Sequence, residues 1–225
     1  MSGPVIHARS VGRRLSGRWA VSGVDLEVAS GERVLVHGPN GSGKTTLLRL
    51  LSSALSPSAG SVALFGVPAP EARGRVALLS HADGHYDDLT GRDNLVLAAR
   101  LGRLQGTVSA ALESVGLFAR ADDLVRNYSA GMRKRLAFAR LLLKSPALVL
   151  LDEPYAALDP AGHAFVDELL TGLAARGATV VVSTHQVDRV APGCTQAVHM
   201  EAGRRIQAAA PQPVSGGPLP VGGAE

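Results

Sequence analysis

Residues 38–45 read G-P-N-G-S-G-K-T, a glycine-rich spacing that is typical of phosphate binding. Glycines let successive backbone N–H groups turn toward phosphate oxygens, and a helix that begins near Lys44 adds the positive end of its dipole. We expect Lys44 to reach the β- and γ-phosphates of a nucleotide and Thr45 to offer its hydroxyl to Mg²⁺. The residues predicted to bind phosphate are Gly38, Pro39, Asn40, Gly41, Ser42, Gly43, Lys44, Thr45 and Thr46. The alternative is an ordinary glycine-rich turn before a helix.

A second group that could do chemistry is the acidic pair Asp152 and Glu153, which follows the apolar run 148–151. Open α/β sheets bind ligands at the carboxyl ends of their strands, where this pair would lie. Adjacent side chains cannot share one role, so we expect Asp152 to face Mg²⁺ and Glu153 to orient or deprotonate an attacking water. The structural alternative is a helix N-terminal cap before Pro154.

The surrounding sequence predicts the elements that would position both groups. Residues 33–37 are rich in strand formers and residues 45–51 in helix formers, so the glycine-rich loop joins a strand to a helix. The apolar runs 147–151 and 178–183 predict buried strands, and residues 162–175 between them predict a helix. Continuous apolar strands that are covered by helices indicate a parallel α/β sheet.

Two further regions are predicted to lie beside this sheet. Residues 5–9 and 24–28 alternate apolar and polar side chains, which favours antiparallel β-structure, and residues 62–65 and 76–79 read as short strands. From residue 94 to 143 the sequence becomes rich in Leu, Ala and Arg at helical spacing. This stretch predicts a helical insert within the α/β domain.

The composition of the 225 residues excludes some classes of protein. A hydrophobic fraction of 46% supports a sizeable core and excludes a disordered polymer. The net charge of +4 is too small to decide between nucleic acid and an anionic membrane as a partner. A single cysteine, Cys194, cannot form an internal disulfide, and no segment approaches the roughly 20 apolar residues that span a bilayer. We therefore expect a cytoplasmic protein that reaches a membrane only through a partner.

Residues 129–132, Ser-Ala-Gly-Met, resemble the S-G-G-Q signature of the ATP-binding cassette (ABC) family, and the resemblance covers about residues 6–205. It implies an α/β fold, a P-loop NTPase of the ABC ATPase type with an N-terminal antiparallel β-subdomain and a helical subdomain at about 82–144. It also implies ATP and Mg²⁺ as cofactors. In the ATP-bound state it implies a homodimer, or a pair with another ATPase subunit, in which the signature contacts ATP on the opposite subunit. The residues implied at that contact are Ser129, Ala130, Gly131 and Met132. Ala130 and Met132 depart from the family pattern, and a plain helix cap is the alternative.

Three more positions carry roles that the resemblance implies. Asp159, in Ala-Leu-Asp, resembles the loop that crosses the dimer interface in this family, and it is assigned to ATP binding. His185 resembles the switch histidine that touches the γ-phosphate and positions water. His81 occupies the place of a Gln that contacts Mg²⁺, although an alignment shifted within a loop that also holds His85 is the alternative.

The position of the family's adenine-stacking aromatic residue is also altered in this chain. The alignment puts Leu15 there, and the nearest aromatic residue is Trp19. Either adenine stacks against Leu15, or Trp19 swings in to replace it. The alternative for Trp19 is packing within a strand.

Local patterns in residues 36–41, 78–81 and 129–131 look like the ATP-binding subunit of the haem exporter used in cytochrome c maturation. This resemblance implies an ATPase that powers transport through separate integral membrane subunits while bound to the inner face of the cell membrane. The ABC domain is predicted at 1–206, followed by a flexible Pro-, Gly- and Ala-rich tail at 207–225.

Three alternatives to a haem exporter stay open. They are another small ABC exporter, a soluble ABC ATPase that acts in translation or DNA repair, and an ATP-binding regulator without turnover. No nucleic-acid partner is expected, because the basic run at 133–135 fits the solvated face of a helix.

Overall fold

The structure, a computed structural model, describes residues 3–80, 84–102, 104 and 106–206. Its strands are β1 (Ile6–Leu15), β2 (Arg18–Val28), β3 (Arg33–His37), β4 (Ala59–Leu64), β5 (Val67–Pro68), β6 (Val76–Leu79), β7 (Leu148–Asp152), β8 (Thr179–Ser183), β9 (Gln196–Glu201) and β10 (Arg204–Ile206). Its α-helices are α1 (Lys44–Leu51), α2 (Gly91–Gly102), α3 (Val108–Ser114), α4 (Ala130–Leu143), α5 (Pro160–Ala175) and α6 (Val187–Val190). Within these described residues, no helix is both long enough and apolar enough to cross a membrane. The predicted tail at 207–225 lies outside the described residues.

The larger sheet has the strand order β10-β9-β3-β8-β7-β6. Strands β9, β3, β8, β7 and β6 are parallel, and β10 is antiparallel to β9 at the edge. Every residue of β7 and β8 is buried, as expected for strands that are covered on both faces. The predicted α/β fold class is therefore confirmed.

The two faces of this sheet enter two different cores. One core contains α1 and the small antiparallel sheet, and the other contains residues of α2, α3, α4 and α5. Leu148, Leu150 and Val181 pack into the α1 core. Because side chains alternate along a strand, Asp152 and Ser183 at the ends of β7 and β8 share that face. Strand periodicity thus directs both side chains toward the start of α1.

The smaller sheet is antiparallel and has the order β2-β1-β4-β5. Strands β1 and β2 join through a tight turn at Ser16 and Gly17, whose φ angles are 47° and 80°. The sequence predicted these strands correctly in type but made them too short, at 5–9 and 24–28. Gly12 lies inside β1, where a Cβ atom would come within 2.9 Å of the Trp19 ring, so the glycine makes room for that ring.

Helices α2, α3 and α4 form the helical region that the sequence predicted between residues 94 and 143. The first helix begins earlier, at Gly91, because Thr90 caps it: Thr90 Oγ1 accepts from the N–H of Asp93 at 3.0 Å. Asn94 then ties the first turns to the preceding loop. The Asn94 side-chain amide donates to the carbonyl of Tyr86 at 3.0 Å, and its Oδ1 accepts from the Tyr86 N–H at 2.9 Å. Asn94, where the predicted helical stretch starts, is thus buried within the first turns of α2.

Strands β9 and β10 were not predicted from the sequence. The run QAVHME is short and carries polar residues, yet Val198 and Met200 are fully buried. Strand β9 pairs in parallel with β3, so that His37 lies opposite His199. This pairing joins residues distant in sequence and has no local signature.

Candidate functional site

A cavity of about 240 Å³ opens where the phosphate loop, defined here as residues 38–45, meets the carboxyl ends of β7 and β8. It is lined by Ala20, Asn40, Gly41, Ser42, Gly43, Lys44, Thr45, Thr46, Asp152, Glu153 and His185. All of these except Ala20 are residues that the sequence singled out. The structure therefore brings the predicted phosphate, carboxylate and histidine groups together.

The backbone of the phosphate loop requires glycine at two positions for packing reasons. Gly38 has a φ of 142°, and a Cβ atom there would lie 2.0 Å from the carbonyl oxygen of Met200. Gly43 has a φ of 99°, and its Cβ atom would lie 2.5 Å from the carbonyl oxygen of Ala20. Both angles are in the region that favours glycine. The loop can only take this path because its glycines let neighbouring strands approach.

The Lys44 side chain folds back over the phosphate loop. Its Nζ donates to the carbonyl oxygens of Gly38 at 2.8 Å and Pro39 at 3.1 Å, and the residue is only 7% exposed. An ammonium group has three donors, so one proton is left for a ligand. Lys44 thereby places a positive charge beside the first turn of α1, where the helix dipole also favours an anion.

Ser42 adds a polar group that points to a ligand. It is 2% exposed, and its Oγ has no hydrogen-bond partner among the described residues. A buried hydroxyl without a partner is unfavourable unless a ligand satisfies it. A phosphate oxygen in the cavity would accept this hydrogen bond, so the loop fits a phosphate-containing ligand.

Asp152 and Glu153 take different directions at the end of β7. Asp152 is 3% exposed, and its Oδ1 accepts a hydrogen bond from Ser183 Oγ at 2.5 Å. Glu153 leaves the strand with a φ of 48°, and its N–H donates to the Ser183 carbonyl at 2.9 Å. A left-handed residue directly after a strand is uncommon outside glycine and turns the chain sharply. This turn separates the two carboxylates as their predicted roles require.

Glu153 and His185 face each other across the end of the sheet. The backbone N–H of His185 donates to Glu153 Oε2 at 3.3 Å, and His185 Nε2 lies 3.2 Å from Glu153 Oε1, within ion-pair distance. This second contact is not a hydrogen bond, and Oε1 is buried without a donor in the described part of the chain. A water molecule could supply that donor, which suits a carboxylate that acts on water.

A histidine pair lies directly behind the phosphate loop. The rings of His37 and His199 are stacked, with centroids 4.8 Å apart and planes 13° from parallel. Burial lowers the pKa of His37, and electrostatic interactions with His199 and Lys44 lower it further. The neutral form of His37 is therefore favoured next to the cationic end of the loop.

Two structural neighbours of the site were not predicted from the sequence. Gly203, in the turn between β9 and β10, donates its N–H to the carbonyl of Ser42, and Ser183 contacts both carboxylate residues of the site. For Gly203, the Ala-Gly pair before β10 is a turn signal that could have indicated the turn. For Ser183, only the register of β8 against β7 reveals the contact with Asp152.

The signature segment at 129–132 lies outside the cavity lining. Ser129 caps α4, and its Oγ accepts from the N–H of Met132 at 3.2 Å. A Cβ atom on Gly131 would lie 3.9 Å from the Leu158 side chain, so the signature approaches the loop before Asp159. Asp159 in turn caps α5, with its Oδ1 accepting from the N–H of Gly162 at 2.7 Å. Within one chain, Ser129 and Asp159 therefore act as helix caps.

The remaining predicted positions are not part of the cavity. Leu15 is 44% exposed and Trp19 is 42% exposed, and neither lines the cavity, although Ala20 next to them does. The Arg14 guanidinium lies 4.5 Å from the centroid of the Trp19 ring, which packs over Gly12. His81 lies outside the described residues.

Comparison with known proteins decides the family of the chain. The family model described as ABC transporter matches residues 21–156. The chain belongs to the ABC transporter family. That match covers the phosphate loop, the signature segment and the acidic pair at 152–153. As a member of this family of ATP-binding subunits, the chain is an ATPase.

Two curated ABC relatives and one solved ABC structure resemble this chain over most of its length. The Nod factor export ATP-binding protein I of Burkholderia pseudomallei is 36% identical over 221 residues, 94% of this chain and 73% of the relative. The cytochrome c biogenesis ATP-binding export protein CcmA of Pseudomonas fluorescens is 40% identical over 191 residues, 82% of this chain and 90% of the relative. The structure of cbiO1 from Clostridium perfringens, part of the ABC transporter complex cbiONQ, has a TM-score of 0.76 at 25% identity, with 91% of this chain and 87% of that chain covered.

Proposed function

We propose that this ABC ATPase powers an exporter and that Glu153 activates the water that attacks ATP. The observation that carries the proposal is the cavity, which gathers Lys44, Thr45, Asp152, Glu153 and His185 in one place. A phosphate loop alone would indicate only nucleotide binding. The addition of two diverging carboxylates and a histidine supports hydrolysis.

The phosphate loop would hold the nucleotide by charge and by backbone donors. Lys44 retains one ammonium proton for the β- and γ-phosphates after its bonds to Gly38 and Pro39. Ser42 would donate its hydroxyl, which has no partner within the part of the chain that the structure describes, and the N-terminal N–H groups of α1 would face the phosphates. Thr46 would contribute to the same helix N-terminus.

The metal position would lie between the loop and the end of β7. Thr45 and Asp152 line the cavity together and offer the oxygen ligands that Mg²⁺ prefers, and His81 would complete the set that the family resemblance implies. When bound, Mg²⁺ would neutralise charge that develops on the β- and γ-phosphates.

Glu153 would orient the water and accept its proton as the water oxygen bonds to the γ-phosphorus, while the bond from that phosphorus to the β,γ-bridging oxygen breaks and ADP leaves. Among the described residues no donor reaches the buried Oε1 of Glu153, which leaves a place for a water hydrogen. The backbone N–H of His185 holds the other carboxylate oxygen at 3.3 Å. The His185 ring, about half exposed, would reach the γ-phosphate from the same side.

A second copy of the chain would complete each ATP site. Ser129 and Ala130 are exposed at the start of α4, outside the cavity of their own chain. In a head-to-tail dimer, residues 129–132 would meet the γ-phosphate of the other copy, and Asp159 would lie at the interface. Integral membrane subunits would bind this pair at the inner face of the membrane, and ATP-driven closure would move them.

The cargo that we propose is haem, exported for cytochrome c maturation. Support comes from the 40% identity to a cytochrome c biogenesis export protein and from the local patterns at 36–41 and 129–131. The second candidate is another small exporter, which the 36% identity to a Nod factor export protein over a longer stretch favours. Both candidates require the same ATPase site.

The ATPase proposal is tested with the purified full chain. We expect Mg²⁺-dependent phosphate release and an ATP-dependent dimer, measured by light scattering with ATP and with ADP. A chain that binds ATP but releases no phosphate, alone or with its membrane subunit, would contradict the proposal. If ATP does not cause the chain to dimerise, the proposal that a second copy completes each ATP site is wrong.

The cargo proposal needs the assembled transporter. The chain is co-expressed with the membrane protein that co-purifies with it, and phosphate release is measured with and without haem. Stimulation by haem supports haem export. Lack of haem stimulation in a complex that another cargo does stimulate would favour the second candidate.

A further inference from the structure

Ser183 contacts both carboxylate residues of the site although it lies on a neighbouring strand. Its Oγ donates to Asp152 Oδ1 at 2.5 Å, and its carbonyl accepts from the N–H of Glu153 at 2.9 Å. The residue is fully buried at the end of β8, in register with Asp152 on β7. Its hydroxyl and its backbone thus act on two different groups of the site.

The hydrogen bond fixes the orientation of the Asp152 carboxylate. One oxygen, Oδ1, is engaged by the Ser183 hydroxyl, and turning the carboxylate out of this plane would break that bond. The other oxygen, Oδ2, is left for a ligand in the cavity that Asp152 lines. Side chains that hydrogen-bond a metal-ligating carboxylate commonly set its orientation and its affinity for the metal.

We propose that Ser183 is a positioning residue for the Mg²⁺ of this ATPase, because its hydroxyl holds Asp152 with one oxygen directed at the metal. The inference rests on the proposed Mg²⁺ site and names a residue that acts on it through Asp152. A purely structural role would instead stabilise β8 without changing the contribution of Mg²⁺ to nucleotide binding.

The test compares ADP binding with Mg²⁺ and with EDTA, by titration calorimetry on the full chain. Ser183→Ala removes the hydroxyl, Ser183→Cys replaces it with a weak donor of nearly the same shape, and Ser183→Thr keeps it. Thr179→Val is the matched control, since it removes a buried hydroxyl from the other end of β8, where Thr179 Oγ1 accepts from the Gly31 N–H at 3.0 Å.

We expect Mg²⁺ to tighten ADP binding in the wild type. Ser183→Ala and Ser183→Cys should reduce that tightening about tenfold, while their ADP affinity in EDTA stays within about twofold of wild type. Ser183→Thr and Thr179→Val should retain the full Mg²⁺ effect.

Two results would overturn the inference, and they can be told apart. If Ser183→Ala and Ser183→Cys keep the wild-type Mg²⁺ effect, Ser183 does not position the metal ligand, and the proposed ATPase site stands. If Mg²⁺ has no effect on ADP binding in the wild type itself, the proposed Mg²⁺ site fails, and the role of Ser183 fails with it.

Discussion

The backbone N–H of Gly203 donates to the carbonyl oxygen of Ser42 at 3.1 Å, which joins the turn between β9 and β10 to the phosphate loop. The Gly203 carbonyl accepts from the N–H of Ser22 on β2 at 2.7 Å. The turn therefore links the antiparallel sheet, the phosphate loop and the C-terminal hairpin. Its position suggests that nucleotide affinity depends on a residue far from the loop in sequence.

Gly203→Ala should weaken both folding and nucleotide binding. Gly203 has a φ of 79°, and a Cβ atom would lie 2.9 Å from the Ala20 carbonyl oxygen, so the turn must shift. We expect the free energy of unfolding to fall by about 1–3 kcal/mol and ATP affinity to fall as the loop moves. Denaturant titration and nucleotide titration measure the two effects.

Gly66→Ala is the matched control for that variant. Gly66 has a φ of 81°, but nothing lies within 4 Å of its Cβ position. It should lose stability from the backbone angle and keep wild-type ATP affinity. Equal loss of ATP affinity in both variants would show that the Gly203 contact does not support the loop.

Lys44→Ala should lower ATP affinity by about tenfold or more, because it removes the buried cation and its two bonds to the phosphate loop. Fluorescent-nucleotide titration measures the loss. Lys144→Ala is the control, since Lys144 Nζ also donates to a backbone carbonyl, that of Arg73, outside the cavity. Unchanged ATP affinity in Lys44→Ala would refute the assigned role.

Glu153→Gln should keep ATP affinity and lower the turnover rate by about a hundredfold or more, because an amide cannot accept the proton of the attacking water. Steady-state phosphate release and ATP titration separate the two quantities. Glu168→Gln makes the same change on the exposed side of α5 and should leave turnover unaltered. Normal turnover in Glu153→Gln would assign the base to another residue.

Tyr155→Phe should lower the free energy of unfolding by about 1 kcal/mol, since the Tyr155 hydroxyl donates to Asp167 Oδ1 at 2.8 Å from a position that is 2% exposed. Burial and the Asp167 carboxylate raise the pKa of this phenol. Denaturant unfolding measures the change. Tyr86→Phe, at a residue that is 58% exposed, should lower the free energy of unfolding much less. An equal cost for both would mean that the buried bond contributes nothing.

Acidification should destabilise the fold through His37. Its pKa in the fold lies below the ordinary 6.5, so the unfolded chain binds the proton more readily, and stability falls as pH drops below 6.5. His37→Gln should reduce the loss of thermal midpoint between about pH 7 and pH 5.5. His199→Gln, which removes the stacked ring, should partly reduce the same loss of thermal midpoint. An unchanged pH profile in His37→Gln would exclude His37 as the group responsible.

Local sequence was informative where chemistry and secondary structure are both local. The spacing of Gly38, Lys44 and Thr45 between a strand and a helix predicted an anion site, and the structure shows that arrangement. The apolar runs ending at Asp152 and Ser183 predicted parallel buried strands, which β7 and β8 are. The strands predicted at 5–9 and 24–28 are longer in the structure, where β1 continues through Gly12 and β2 begins at Arg18.

The sequence by itself determined the family, the phosphate loop and the types of the side chains that act with it. The tertiary structure decided how these side chains are held: Ser183 reaches Asp152 through strand register, and Gly203 reaches Ser42 through a hairpin distant in sequence. Composition and periodicity report which face of a strand is buried. They do not report which strands become neighbours, because parallel pairing joins segments separated by long crossovers.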